Sequence, residues 1–241
     1  MDKLTLNILN FFDFFHKRKI INFLNKNNFL DYEIILDIGA HKGESIDFFL
    51  GNFSVKKIIS FEASPINFMK ISQKLSKVKK KFYKSEIILE NLALGDKKGS
   101  FKFNQLSESS SSTLNEINTN SSYFKKKKKF LNFLSYKNYN KIIDVNADTL
   151  QNYLNEKNIK KIDLIKIDTE GFELNVLKGL DSLITDVKLI LFEHHYDDMV
   201  KKKYTFTDIN DLLIKKNFKQ ILKLKMPFRK SFEYIYVNMD N

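Results

Sequence analysis

At 241 residues, with 43% hydrophobic and 29% charged residues, the chain is long enough for one substantial core and has the composition of a soluble globular protein. It contains no cysteine, which excludes a disulfide framework and any thiolate zinc site. The formal net charge is +12, yet only Arg18 and Arg229 among the 41 basic residues are arginine. The fork that reads bases and phosphates is thus nearly absent, and A/T-rich codons alone would enrich Lys, Asn, Ile and Phe, so no nucleic-acid partner is expected.

The first segment reads as a helix over residues 3–28. Leu4, Ile8, Phe11, Phe12 and Phe15 fall on one face at helical spacing. This arm, residues 1–31, is expected to pack on the domain or on a second copy of the chain. The basic run "HKRK" at 16–19 keeps a membrane-surface contact as the alternative. No signal peptide and no apolar run of membrane-spanning length is read, so the expected compartment is the cytoplasm.

From residue 32 the pattern alternates. "YEIILDIG" reads as a strand, "ESIDFFLGNF" as a helix, "KKIISFEAS" as a strand and "PINFMKISQKL" as a helix with Pro65 in its first turn. "SEIILENLALG" reads as a third strand, and "GSFKF" as a short extended segment. An insertion at 105–135, rich in Ser and Asn and then carrying five lysines at 125–129, reads as a solvated excursion or a lid over a cleft. Order resumes with "KIIDVNADTLQNYL", a strand and helix. A strand at 161–168, a helix at 173–180, the strand "DVKLILFEHH" and the helix "TFTDINDLLIKKNF" follow. The last two strands, "KQILKLKM" and "SFEYIYVN", are joined so closely that they must pair antiparallel. The expectation is one α/β domain over 32–241, with a mostly parallel sheet, a terminal antiparallel pair and residues 34–38 beside 162–168.

Acidic groups sit at successive strand ends: Asp37, Glu62, Asp168 with Glu170, and Glu193 beside His194 and His195. In an open parallel sheet these ends line one crevice, where ligands bind. The first turn, "DIGAHKG", has His41 where a dinucleotide fingerprint has its middle glycine, so a pyrophosphate fits poorly. Glu62, at the end of the next strand, can accept both hydrogens of a ribose diol. A nucleoside without phosphate, such as S-adenosylmethionine, meets both conditions. Asp168, Glu193 and His194 are candidate bases, with Glu170 orienting a neighbour or binding substrate. Glu173 reads as helix-dipole stabilisation. The acidic and imidazole groups also have hard-metal chemistry, but adjacent histidines on a strand face opposite ways, and no metal site is assigned.

The stretches "ILDIGAHKGES", "FEASP", "NLALGD", "IKIDTEGFELNVLKG" and "LFEHH" resemble the FkbM family of S-adenosylmethionine-dependent methyltransferases over about residues 32–200. Ala63 and His41 depart from its commoner proline and asparagine. The resemblance implies the class I, Rossmann-like methyltransferase fold, with Asp37, Gly39, Ala40 and Gly43 shaping the methionine end of the cofactor pocket. It further implies Glu62 on the ribose, Asn91, Leu92 and Ala93 against the adenine, and Asp168 near the transferring methyl. It points to O-methylation of a sugar or another small hydroxyl-bearing acceptor. Two rivals stand beside it. A nicotinamide-dependent oxidoreductase would want the missing glycine. A nucleic-acid-binding protein or RNA methyltransferase would meet an acidic crevice and few arginines.

Overall fold

The structure, a computed structural model, describes residues 3–106, 111–126 and 140–241, and in the first helix it describes side chains from Asp13 onward. After helix α1 (Lys3–Lys26) the chain runs β1 (Asp31–Ile38), α2 (Glu44–Asn52), β2 (Ser54–Phe61), α3 (Pro65–Lys81) and β3 (Glu86–Glu90). Then come β4 (Ala93–Leu94), β5 (Gly99–Leu106), β6 (Asn140–Asp148), α4 (Leu150–Glu156), β7 (Ile162–Ile167) and α5 (Glu173–Lys178). β8 (Val187–His195), α6 (Phe206–Lys215), β9 (Phe218–Lys225) and β10 (Ser231–Asn238) complete it.

Seven strands form one sheet in the order β3-β2-β1-β7-β8-β10-β9. The first five are parallel, and β10 runs antiparallel to both β8 and β9. The order reverses between β1 and β7, where Ile38 pairs with Ile167. Continuous apolar runs explain this placement: Ile35, Leu36, Ile58, Ile59, Ile165, Ile190 and Phe192 are fully buried, as strands covered on both faces must be. Helix starts are locally encoded. Ser64 caps α3 ahead of Pro65, its hydroxyl accepting from the Asn67 amide at 3.2 Å, and Thr205 with Asp208 forms a capping box on α6.

Three details differ from the sequence expectation. The third strand is not continuous: β3 ends at Glu90, and β4 joins a second sheet ordered β4-β6-β5. The break comes where the Asn91 side chain donates to the Glu62 carbonyl at 2.8 Å and Leu92 turns into a cavity. Among the described side chains of α1, from Asp13 onward, the buried positions are His16, Ile20 and Leu24, spaced four apart, whereas Phe14 and Phe15 are exposed; Leu4, Ile8, Phe11 and Phe12 lie outside the described side chains. The described part of the arm packs on its own domain through Ile20 and Leu24. Lastly, part of the supposed solvated insertion is packed. Ile117 and Phe124 form a cluster with Leu106, Met199 and Val200, and Ile117 bridges Val200. Residues 107–110 and 127–135 of the insertion, with three of its five clustered lysines, lie outside the described residues.

The switch point is built on close backbone contact. Gly39 has φ +83°, and a Cβ placed on it would lie 1.9 Å from the Asp168 carbonyl oxygen. The Asp168 amide also donates to the Ile38 carbonyl at 2.9 Å. Any side chain at 39 must push the β1 and β7 ends apart. Gly39→Ala is expected to lower stability by about 2–4 kcal/mol, from overpacking together with a left-handed backbone. Denaturant unfolding would measure this, and a loss below about 0.5 kcal/mol would show that the turn relaxes freely.

Candidate active site

At the carboxyl ends of β1, β2, β7 and β8 lies a cavity of about 360 Å³. Its floor begins at Lys166, a lysine between two buried isoleucines of β7, whose side chain is 15% exposed. Its ammonium donates to the Gly39 carbonyl at 2.9 Å and lies 3.3 Å from Asp37 Oδ1 and 3.5 Å from Asp168 Oδ2. Burial works against its charge, but the two aspartates outweigh burial and raise its pKa. Asp37 is fully buried and receives Ser45 Oγ at 2.5 Å and Ser60 Oγ at 3.1 Å. It does not line the cavity; it fixes Lys166 beneath it.

The glycine turn after β1 has no free amide. Gly39 and Ala40 donate to the Phe61 carbonyl, each at 3.0 Å, and Gly43 donates to the Ala40 carbonyl. The His41 amide donates to Glu62 Oε2 at 2.7 Å, and the Lys42 amide to Glu44 Oε2. A pyrophosphate cradle needs such amides turned outward, and here they are engaged within the turn. His41, at φ 52°, sits in the left-handed region that such a turn imposes.

Glu62 lines the cavity although it is only 5% exposed. Its carboxylate accepts from the His41 amide and, at 2.9 Å, from the Ser64 amide. Burial raises its pKa to about 7, with the two amides, His41 and Asn67 pulling the other way. Leu92, Ala93, Leu94, Phe61 and Phe172 form an apolar slot beside it.

The turn after β7 carries Glu170 and Gly171, both at positive φ. Two residues of the insertion clamp it: Thr113 Oγ1 donates to the Glu170 carbonyl at 2.8 Å, and Asn115 Nδ2 to the Gly171 carbonyl at 2.5 Å. Glu173, fully buried, accepts from the Gly171 amide at 2.8 Å and from the Tyr204 hydroxyl at 2.5 Å. Its role exceeds helix-dipole stabilisation, since it closes the turn.

β8 alternates, so Glu193 and His195 share a face and His194 takes the other. Glu193 lines the cavity. His195 lies behind it, with Nε2 3.3 Å from both Glu170 and Glu193 and Nδ1 3.4 Å from Asp197. Burial opposes its charge, yet Glu170, Asp197 and Glu193 raise its pKa to about 10. Burial, with Asp168 and Glu170 adding to it, lifts Glu193 to about 7 against His195 and Arg229.

Of the residues expected in the site, Gly39, Ala40, Glu62, Leu92, Ala93, Asp168, Glu170 and Glu193 line the cavity. Asp37, Gly43 and Asn91 support it from behind. His194 is not brought to it: the ring packs among Tyr196, Tyr204 and Phe206, and burial, then Lys202 and His195, lower its pKa to about 3. It is a neutral ring in an aromatic cluster rather than a base. Lys166 and Arg229 were not read from the sequence as site residues, and His195 was placed at the strand ends without an assigned role. A lysine inside "DLIKI" was the one available signal for the first. Among the described residues, no group of three or more Asp, Glu or His is set to hold a metal ion.

The strand order, with its antiparallel β10, and a cavity at the switch point define the class I methyltransferase fold. A methyltransferase FkbM domain matches residues 37–220, and the chain belongs to the FkbM methyltransferase family. Among solved structures it is similar to the methyltransferase FkbM from Methylobacillus flagellatus KT, at 14% identity and a TM-score of 0.55 over 86% of this chain. The chain spans 44% of that protein's length. It is also similar to magnesium protoporphyrin IX methyltransferase from Synechocystis PCC 6803, solved with bound S-adenosylmethionine, at 10% identity and a TM-score of 0.51. That likeness covers 92% of this chain and 77% of the other. No curated protein matches the chain.

The His195 network has a pH signature. Its folded pKa, about 10, lies above the unfolded value of 6.5, so its stabilisation is fully present below pH 6.5 and is lost as pH rises through 10. Melting temperature should therefore fall between pH 7 and 10 more steeply in wild type than in His195→Gln. Parallel curves for the two proteins would show that His195 is not held charged.

Proposed function

We propose that the chain is an S-adenosylmethionine-dependent methyltransferase that transfers a methyl group to a hydroxyl of a sugar or another small acceptor. The observation that carries the cofactor reading is the pairing of Glu62, exposed to the cavity, with a glycine turn whose amides are all engaged. A ligand with a ribose and no phosphate suits that pairing. A nicotinamide dinucleotide does not, because its pyrophosphate would find no donors.

Glu62 would hold the ribose hydroxyls, and the slot formed by Leu92, Ala93 and Phe172 would take the adenine. The Gly39–Ala40 turn would admit the methionine end, since Gly39 has no side chain and Ala40 only a methyl group. When bound, S-adenosylmethionine supplies an electrophilic methyl on a sulfonium. The sulfur–methyl bond breaks as the acceptor oxygen–methyl bond forms, and the acceptor's proton must leave. Glu193 is the base that receives it. It faces the cavity, and burial, with Asp168 and Glu170 adding to it, holds its pKa above the ordinary carboxylate range, which makes it the stronger proton acceptor. Asp168, fixed by Lys166, places a negative charge at the same strand ends. Glu170 is steered by His195 and by the clamped turn.

Two experiments test these assignments. Glu62→Gln turns one acceptor into a donor facing a hydroxyl and should weaken S-adenosylmethionine binding about tenfold to a hundredfold, measured by calorimetry. In wild type the affinity should also fall as pH drops below about 7, where Glu62 takes up a proton, and Glu62→Gln should remove that dependence. Affinity within twofold of wild type would exclude the ribose role. NAD should not bind to either protein.

The second concerns turnover with an acceptor found by screening with labelled cofactor. Glu193→Gln should lower kcat by about 10²–10⁴-fold and abolish its rise through pH 7. Asp168→Asn should change cofactor affinity less than Glu62→Gln does. If Asp168→Asn is the variant that loses turnover while Glu193→Gln retains it, the base is Asp168. Activity on an oligonucleotide and on no small acceptor would establish RNA methylation instead.

A further inference from the structure

The cavity is lined by more than the residues assigned to the cofactor, and its second wall has a separate origin. Asp13, His16 and Lys17 of α1 line it from one side, and Met226, Arg229 and Glu233 of the β9–β10 hairpin from another. All six lie outside residues 37–220, the span that defines the family. The two segments are tied together. His16 is buried, with Nε2 2.6 Å from Glu233 Oε2, a contact across 217 residues of sequence.

The charges on this wall are unevenly matched. Glu233 has His16, Glu170 and Glu193 have His195, and Asp168 has Lys166. Lys17 and Arg229 are exposed, and neither makes an ion pair or hydrogen bond with any described residue. Desolvation works against the Arg229 charge, but Glu193, Asp13, Glu170 and Asp168 face the guanidinium without contacting it and sustain it. Its fork of donors remains open. Arg229 is one of only two arginines in a chain with 39 lysines, and its planar fork suits a carboxylate or phosphate better than an ammonium does.

We infer that α1 and the β9–β10 hairpin form the acceptor subsite, and that Arg229, with Lys17, binds an anionic group on a polyhydroxylated acceptor. The carboxylates deeper in the cavity then accept hydrogen bonds from its hydroxyls, one of which faces Glu193. The acceptor class is a sugar acid or a sugar phosphate. This rests on the methyltransferase reading above.

The test uses the full chain saturated with S-adenosylhomocysteine. Failure of that ligand to bind would overturn the cofactor reading independently of the acceptor subsite. Glucose, glucuronate and glucose 6-phosphate are then titrated by saturation-transfer NMR. Glucuronate, glucose 6-phosphate or both should bind at least about tenfold tighter than glucose, as expected for charge-assisted hydrogen bonds. The pair distinguishes carboxylate from phosphate. Arg229→Met should bring the anionic sugars to within about threefold of glucose, and Arg229→Lys should recover only part of the preference. Lys17→Met should reduce it to a smaller extent. Neither side chain belongs to the buried core, so the variants should remain folded, as circular dichroism would check. The inference is overturned if glucose binds as well as both anionic sugars, if none of the three binds, or if Arg229→Met leaves the preference intact.

Discussion

A buried ammonium organises the site. Removing a lysine from water costs several kcal/mol unless its partners are in place, and Lys166 has three: the Gly39 carbonyl, Asp37 and Asp168. These belong to two different strands, so satisfying one charge fixes β1 against β7. The constraint propagates outward. Asp37 can be fully buried only because Lys166, Ser45 and Ser60 surround it, and Ser45 stands in the first turn of α2. Asp168 is held at the cavity by the same ammonium. Gly39 must lack a side chain because the two backbones meet where the ammonium binds.

This arrangement divides the chemistry. On the β1–β2 side the amides of the turn are internally satisfied, and Glu62 and Glu44 bring carboxylates to the cavity. A nucleoside finds a carboxylate there and no phosphate cradle. On the β7–β8 side, carboxylates accumulate with His195 as their shared counter-charge. Burial, together with the proximity of Asp168 and Glu170, keeps Glu193 a stronger base than an ordinary carboxylate. One strand end thus favours binding and the next favours proton transfer, and the cavity joins them. The insertion takes part as well, because Thr113 and Asn115 hold the two carbonyls of the Glu170–Gly171 turn.

Much of this was legible in the residues. Alternating apolar runs gave the parallel sheet, the short hairpin gave the antiparallel pair, and carboxylates at strand ends marked the crevice. Glu62, nineteen residues beyond Gly43, was recognisable as a cavity-facing acid by position alone. What remained hidden depends on tertiary contact. Periodicity indicated that His194 and His195 face opposite ways, but it could not say which faces the cavity; pairing of β8 with β7 and β10 decides that. The buried face of α1 runs through His16, a residue no apolar count would choose, because its partner Glu233 comes from the far end of the chain. The packing of residues 111–126 was obscured by their Ser and Asn content, since a few apolar side chains, Ile117 and Phe124 among them, supply the anchor.

The central claim is that the cavity receives a nucleoside by its ribose and without phosphate. A crystal structure of the wild-type chain with S-adenosylhomocysteine tests it most directly. Both ribose hydroxyls should lie within hydrogen-bond distance of the Glu62 carboxylate, with the His41 and Ser64 amides still donating to that carboxylate. A ribose placed away from Glu62, or a glycine turn reopened so that its amides point at the ligand, would contradict it.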